Sequence, residues 1–486
     1  MYSAELEAAR RVAAALREVG YTPEGCAAAL GPVAWAALAR AEVAAALRAT
    51  RDGPPLAAVI RLFLLRAEVP RDELDRVLPI ADAQRLGLVE RADGVLRALA
   101  DIRPYGAGLF VVSDVGTAIG GATSHAGRAA GISRRDVVLG AGGASETLAG
   151  ITVRRQVGAA LDLGAGCGVQ ALRAAAHADR VVATDLNPRA VRFTALSAAL
   201  SGVDNVATRT GSLFEPVAGL RFDLIVSNPP FVISPGERFT YRDGGLSGDE
   251  LCRRVVAGAA EHLAEGGHAH ILANWLHLRG EDWAERVAGW LAPTGCDAWA
   301  VQRDVQDPAQ YAELWLRDGG DHRRADYPER YDSWLAAFED AGVAAVGFGW
   351  ISLHKSGATE PVVRIEDWPH AVEQPLGPAI ESWFGRADYL RRTGDDALLR
   401  THFALAGDVT QEQHIVLRQA GGLRRAVSAD TISAALAGAC DGALSAEAIG
   451  AALAEVLELD PAAVRADVVA ALRAFVADGL LHPVDS

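Results

Sequence analysis

Apolar and polar positions follow two different rhythms along this chain, and the change falls near residue 157. Over residues 1–50, alanines and leucines recur at helical spacing, and the opening stretch MYSAELEAARRVAAALREVGYTP predicts an amphipathic helix. Short helices and two short apolar runs follow. In GLVERADGVLRA the tripeptide Ala92-Asp93-Gly94 separates those runs and signals a hairpin. Helices followed by a hairpin predict a winged-helix-like domain over residues 1–105. A lead-in over 106–156 carries two expected strands, LFVVSDVG (109–116) and DVVLG (136–140).

From Val157 to Lys355, uninterrupted apolar strands alternate with helices: AALDLG, RVVATD, NVATRT, FDLIVSN, GHAHILAN, CDAWAVQRD and AAVGFGWISLH. Strands apolar on both faces belong in a sheet covered by helices on both sides, so this part is expected to be a doubly wound, seven-stranded α/β domain. The last two strands are separated by a helical segment, 308–342. A Pro-containing connector (356–426) then leads to a second mainly helical, winged-helix-like domain over 427–486.

Charge and cysteine content narrow the function classes. The formal net charge is −15, which opposes non-specific attraction to phosphate backbones, although a local basic groove can override an average. Residues 430–486 hold nine acidic residues and two arginines, a poor composition for a phosphate-binding wing and a better one for packing or protein binding. Cys26, Cys167, Cys252, Cys296 and Cys440 contain no C-x-x-C pair, which points to small core residues rather than a disulfide framework or zinc site. No run of about 18 uncharged apolar residues occurs, and the charged start is unlike a secretory signal. The expected setting is the cytoplasm, with no membrane partner.

LDLGAGCGVQAL (161–172) follows a strand and opens a helix, with glycines at 164, 166 and 168. Glycine lets a backbone turn sharply and approach a ligand without a Cβ between, and the helix start supplies free N–H groups. Asp185 ends the next strand, 21 positions after Gly164, where a carboxylate can accept hydrogen bonds from both hydroxyls of a ribose. The third glycine comes one position earlier than in the dinucleotide fingerprint. Further on, VSNPPF (226–231) stops a buried strand with two prolines, which lack the N–H that pairing needs.

The glycine loop, Asp185, GSLF (211–214) and DLIVSNPPF occur in the order found in class I S-adenosylmethionine-dependent methyltransferases, and residues 136–355 resemble that family. The resemblance implies S-adenosyl-L-methionine as cofactor. It implies a cofactor-binding set of Thr147, Asp162, Gly164, Ala165, Gly166, Gly168, Asp185, Leu186, Asn187, Ser212, Leu213 and Asn228. It also makes Asn228, Pro229, Pro230 and Phe231 the catalytic segment, because Asn-Pro-Pro-Phe resembles the signature of enzymes that methylate planar nitrogens. Such nitrogens are poor nucleophiles with a delocalised lone pair. Two acceptors, the Asn228 side-chain oxygen and the Pro229 carbonyl, can hold both N–H bonds and stabilise the charge that develops, with Phe231 stacking on the flat group. No strong base is required.

ASETL (144–148), with Ser145 before Glu146-Thr147, and YRDGGLSGDELCRRVV (241–256) resemble segments of the HemK-like branch, which methylates protein glutamine. The favoured reading is therefore methylation of a protein or peptide side-chain amide. Small-domain ribosomal-RNA guanine methyltransferases share Asn-Pro-Pro-Phe, so adenine or guanine N-methylation of nucleic acid stays open. A non-catalytic, cofactor-sensing binding protein is the remaining alternative.

Other features are expected to be structural. His268 and His270 alternate on one strand face with no third metal ligand close in sequence. Trp275, Trp283, Trp290 and Trp299 are expected to pack helices on the sheet. Residues 317–330, of mixed charge, predict a solvated helix connection that can border a substrate entrance.

Overall fold

The computed structural model describes residues 3–40, 42–106, 108–114, 136–235, 248–402, 404, 415–419, 426–478 and 480–482. They fall into two compact units, Met1–Gly394 and Asp395–Ser486.

The amino-terminal part of the first unit begins with helices Ser3–Glu18 and Pro23–Ala39. Its strands are β1 (Val69–Pro70), β2 (Val89–Ala92) and β3 (Val95–Ala98), ordered β1-β3-β2. Asp93 and Gly94 both take positive φ (47° and 85°), the backbone that a two-residue hairpin requires, so the expected hairpin forms where its turn residues stand. A further hairpin pairs β4 (Asp101–Tyr105) with β5 (Leu109–Ser113). β4 was not anticipated, because Pro104 argues against a strand and is tolerated here in a two-stranded ribbon. Residues 136–140 are not the strand expected. They form one isolated bridge at Leu139, held where Asp114 N–H donates to Val138 carbonyl and Val138 N–H to the Asp114 carboxylate.

The main sheet contains β6 (Val157–Leu163), β7 (Ala178–Asp185), β8 (Val206–Thr210), β9 (Phe222–Ser227), β10 (Leu263–Leu278), β11 (Asp297–Gln306), β12 (Val343–His354) and β13 (Val363–Asp367). Their order is β13-β11-β12-β10-β9-β6-β7-β8. β6 to β10 pair in parallel, and β12 runs antiparallel to both β10 and β11. Eight strands thus replace the seven expected. The added β13 lies in the stretch read as a connector, where VRIED alternates in polarity over only five residues, none of them fully buried, too short a pattern to mark a strand. It is held by pairing with β11 and by bonds such as Trp299 Nε1–H to Glu366 and Gln302 Nε2–H to Asp367.

One apolar core runs from the amino-terminal helices through Phe110 and Val112 to Phe193, Leu196 and Leu200 of the helix Pro188–Ser201. Ser197 and Ser201 hydroxyls accept the N–H groups of Val112 and Phe110, which fixes the β4–β5 hairpin against that helix. Trp275 and Trp290 are buried, and Trp283 and Trp299 pack at the edges of sheet cores. Cys26, Cys167, Cys252 and Cys296 are buried, Cys440 is partly buried, and none forms a disulfide.

The second unit begins with the short helix Asp395–Arg400 and contains a hairpin of β14 (Ile415–Arg418) and β15 (Ala426–Ala429) and three longer helices, Thr431–Ala439, Ala446–Val456 and Pro461–Ala477. Asp430, Ser445 and Asp460 cap the three helices, and Leu436, Ile449, Val464 and Val468 form a small core. Among the described residues no helix is long and apolar enough to cross a membrane.

Candidate functional site

Strand register assembles the site. Leu163 of β6 stands opposite Thr184 of β7 and Ser227 of β9, and Asp185 stands opposite Thr210 of β8. The segments that begin at Gly164, Leu186, Gly211 and Asn228 therefore leave four neighbouring parallel strands at one level. With strands about 4.8 Å apart, they lie within about 15 Å across the sheet. This is the carboxyl end, where open α/β sheets bind ligands. Two bonds tighten the alignment: Ser227 Oγ–H donates to Leu163 carbonyl (2.9 Å), and Gly211 N–H donates to Asp185 carbonyl (3.0 Å).

Gly164, Gly166 and Gly168 all have positive φ (74°, 58° and 81°), so the loop is left-handed three times in five residues. The three differ in what surrounds them. A Cβ on Gly164 or Gly166 would meet nothing within 4 Å among the described residues, which leaves open space above that backbone. A Cβ on Gly168 would stand 2.8 Å from Thr194 Cγ2 and 3.0 Å from its Cα. Thr194 and Ser197, on the helix 188–201, donate to the carbonyls of Gly166 (3.1 Å) and Cys167 (2.9 Å) and hold the loop from below. Ala165 N–H donates to Thr184 carbonyl.

Asp162 is buried beneath the loop and accepts Ala171 N–H at 2.8 Å, tying the strand end to the helix Val169–Ala174. Burial pushes its carboxyl up to about 7, opposed by the Ala171 bond and reinforced by nearby Asp185. Asp185 is raised more modestly, by burial, with Asn187 N–H (2.8 Å) and Gly166 N–H (2.9 Å) favouring its charged form. Each Asp185 oxygen accepts one of these N–H groups, which leaves acceptor capacity on both for ligand hydroxyls. Beside it, Leu186 is 60% exposed, an apolar surface at the site. Leu213 takes φ 45° and Gly211 φ 157°, so the GSLF segment turns sharply next to Asp185.

The Asn-Pro-Pro-Phe segment follows β9 directly. Pro229 is buried, and Asn228, Pro230 and Phe231 are half-buried. Among the described residues neither the Asn228 amide nor the Pro229 carbonyl is engaged in a hydrogen bond, unlike most polar groups around them. The exit from the prolines is fixed by residues that sequence reading did not find. Tyr311, fully buried, accepts Ile233 N–H (3.0 Å) and Asn274 Nδ2–H (3.1 Å) on its hydroxyl. Trp315 stands edge-on to Phe231, with ring centroids 6.5 Å apart. Both belong to the helix Pro308–Asp318, about 80 positions downstream, and the one signal was the expectation that the neighbouring stretch 317–330 can border a substrate entrance.

Other expected site residues have structural partners. Asn187 caps the helix 188–201 by accepting Arg189 N–H, and its amide donates to Asp136 carbonyl. Thr147 donates to Gly143 carbonyl inside the helix Gly143–Ile151, and Gln170 donates to Ser145 carbonyl. Of the segment 241–256, residues 241–247 lie outside the described residues. Its Asp249 accepts Leu276 N–H and a two-pronged contact from Arg286. His268 and His270 share a face with ring centroids 6.4 Å apart, and His354 of β12 stacks on His268 at 4.3 Å. Among the described residues no group of three His, Cys, Asp or Glu is arranged to hold a metal ion.

Residues 143–287 match the family described as methyltransferase small domain, and residues 18–99 match a domain of unknown function (DUF7059). A release factor glutamine methyltransferase of Xylella fastidiosa is 34% identical over 158 residues, covering 30% of this chain and 55% of that protein. Its counterpart in Geobacter sulfurreducens is 36% identical over 160 residues, covering 30% of this chain and 53% of that protein. A ribosomal RNA small subunit methyltransferase C of an Enterobacter species is 34% identical over 119 residues, covering 24% of this chain and 31% of that protein. The chain thus spans about half the length of the glutamine methyltransferases and less of the RNA enzyme. These likenesses bear out the resemblance to HemK-like and small-domain methyltransferases.

Proposed function

We propose that the chain is an S-adenosylmethionine-dependent N-methyltransferase acting on a side-chain amide of a protein or peptide, of the glutamine type. The observation that carries this reading is the unengaged pair of acceptors, Asn228 and Pro229, at the same strand level as the glycine loop and Asp185. The residues fit the cofactor: open space lies over Gly164 and Gly166, Asp185 retains acceptor capacity for two hydroxyls, and Leu186 and Leu213 offer apolar surface for a base. When bound, S-adenosylmethionine supplies an electrophilic methyl group.

The chain's own part is positioning and electrostatics. Asn228 Oδ1 and the Pro229 carbonyl accept the two N–H bonds of the planar nitrogen and turn its lone pair out of conjugation. They also stabilise the positive charge that grows on it. The prolines and the Tyr311 anchor hold that carbonyl in place. The spent proton becomes acidic only after transfer and leaves to solvent, so no buried base takes part. The likeness to glutamine methyltransferases, the net charge of −15 and the acidic residues of 430–486 favour a protein over RNA.

The same reading takes residues 1–105 and 427–486 as winged-helix-like modules that recognise the partner in the cytoplasm. Label transferred from methyl-labelled cofactor into a cell extract tests the substrate class. Loss of macromolecular label on protease treatment, with N-methylglutamine on hydrolysis, is the expected result. Label that resists protease and is released by ribonuclease would move the substrate to RNA and keep the acceptor pair, because adenine and guanine present the same planar amine.

A further inference from the structure

A second cavity lies at the opposite end of the sheet. Its volume is about 740 Å³, within the range of small-molecule sites, and its walls include Tyr105, Leu109, Arg154, Leu172, Arg173 and Val203. His177, also on the wall, immediately precedes β7, whereas Asp185 ends it, so about 25 Å of strand separates these two residues, while Leu172 and Arg173 of the wall stand about one helical turn from Gly168. Nothing in the proposed methyl transfer uses it.

Its wall carries two guanidinium groups, Arg154 and Arg173, and two carboxylates, Glu146 and Asp204, and among the described residues only one of the guanidinium groups is ion-paired. Arg173 is paired with Glu146 (3.2 Å), bonds the Tyr105 hydroxyl and lies over the Tyr105 ring at 5.5 Å from its centroid. Arg154 donates to Ala149 carbonyl (2.8 Å), and among the described residues it has no carboxylate partner. Its charged form is disfavoured, first by partial desolvation and then by Arg173. Arg173 is thus committed to Glu146, and Arg154 stands without an ion-pair partner among the described residues beside a floor of Leu109, Leu172 and Val203. Asp204 also lines the cavity; it is exposed, as Arg154 and Glu146 are, so water and salt screen all three. His177 donates Nδ1–H to Arg155 carbonyl (3.1 Å), a donation the carbonyl requires, which leaves its other ring nitrogen an acceptor.

We propose that this cavity binds a small organic anion with an apolar body, its carboxylate or phosphate held by Arg154 and Arg173 and its body lying on Leu109, Leu172 and Val203. The site joins parts of different origin: Tyr105 and Leu109 come from the β4–β5 hairpin, and Leu172 and Arg173 come from the helix that starts at the glycine loop. Occupancy would therefore brace that hairpin against the far end of the loop's helix.

Calorimetric titration of the full chain with benzoate, phenyl phosphate, inorganic phosphate and benzyl alcohol tests the proposal without reference to methyl transfer. Saturable binding of benzoate or phenyl phosphate is expected, and the tighter of the two identifies the anion. Benzyl alcohol and inorganic phosphate, each lacking one half of the match, should bind at least about tenfold more weakly. Arg154→Gln, at an exposed position, should weaken the anion by about tenfold. Ala176→Trp, on the exposed rim, should block it while leaving the unfolding midpoint unchanged. The proposal is overturned by the absence of saturable binding of either aromatic anion up to about 10 mM. Equal affinity in wild type and both variants, or benzyl alcohol binding as tightly as the anions, also overturns it.

Discussion

Alanine substitution at Gly164 and at Gly168 separates the ligand-facing part of the glycine loop from its packed part. Both glycines are left-handed, so a methyl group at either position strains the backbone by about 1–2 kcal/mol, partly offset by a less flexible unfolded chain. At Gly168 the new Cβ also stands 2.8 Å from Thr194 Cγ2 and 3.0 Å from Thr194 Cα. A rotamer change relieves the first contact but not the second, because Cα moves only with the helix 188–201. Shifting that helix also stretches the bond from Thr194 to Gly166 carbonyl. Overpacking of this kind adds about 1–3 kcal/mol, for a total of about 2–4 kcal/mol at Gly168 against about 1 kcal/mol at Gly164. Urea unfolding followed by tryptophan fluorescence should show the larger fall in midpoint for Gly168→Ala. Calorimetry with S-adenosylhomocysteine should show the reverse emphasis: Gly164→Ala remains folded but loses at least about tenfold in affinity, since its methyl enters the space over the loop. Equal midpoints for the two variants would refute the packing argument. Unchanged affinity in folded Gly164→Ala would refute the assignment of that space to the cofactor.

Asn228→Ala should lower turnover by about 10²-fold or more while S-adenosylhomocysteine affinity changes little, and equal losses in both would make Asn228 a cofactor-holding or structural residue. Tyr311→Phe removes the hydroxyl that accepts Ile233 N–H and Asn274 Nδ2–H, leaving two buried donors unpaired. It should cost about 1–3 kcal/mol in urea unfolding and depress turnover more than cofactor affinity; unaltered stability and turnover would remove Tyr311 from the loop's support. Acid should weaken the fold through His268 and His270, whose imidazoles burial pushes down to about 2 and about 3. Below their ordinary value near 6.5 the unfolded chain binds protons that the folded one refuses, so this stability is full above about pH 7 and lost as pH falls. Each contributes a slope of about 1.4 kcal/mol per pH unit. Asp162, raised to about 7, acts in the opposite sense between about pH 4 and 7 and cancels one of the two slopes. A thermal midpoint that falls from pH 7 to 5, less steeply in His270→Gln, is expected, and a flat profile would count against the buried neutral pair.

The sequence determined what local backbone chemistry and burial can write into a short stretch. Strands such as β6, β9 and β12 were legible because each is apolar over most of its length, β8 (VATRT) only through its place in the alternation of strands and helices, and the β2–β3 turn because Asp93-Gly94 accepts positive φ where other pairs do not. The glycine loop, Asp185 and Asn-Pro-Pro-Phe were legible for the same reason: left-handed turns and stopped strands need particular residues. Tertiary structure decided what depends on register between distant segments. β13 alternates Val363 and Ile365 with Arg364 and Glu366, but over only five residues of which none is fully buried, and pairing with β11 at the sheet edge is what makes it a strand; β4 carries a proline that only its place in a two-stranded ribbon excuses. Tyr311 and Trp315 reach the acceptor segment, and His354 reaches His268, only because β12 returns antiparallel and brings residues about 80 positions apart side by side. The cavity beside Arg154 likewise exists only once the β4–β5 hairpin docks on the helix 188–201, since no short stretch of chain carries both its cations and its apolar floor. Side-chain convergence of this kind is paid for by the packing of whole elements, and single-segment preferences do not encode it.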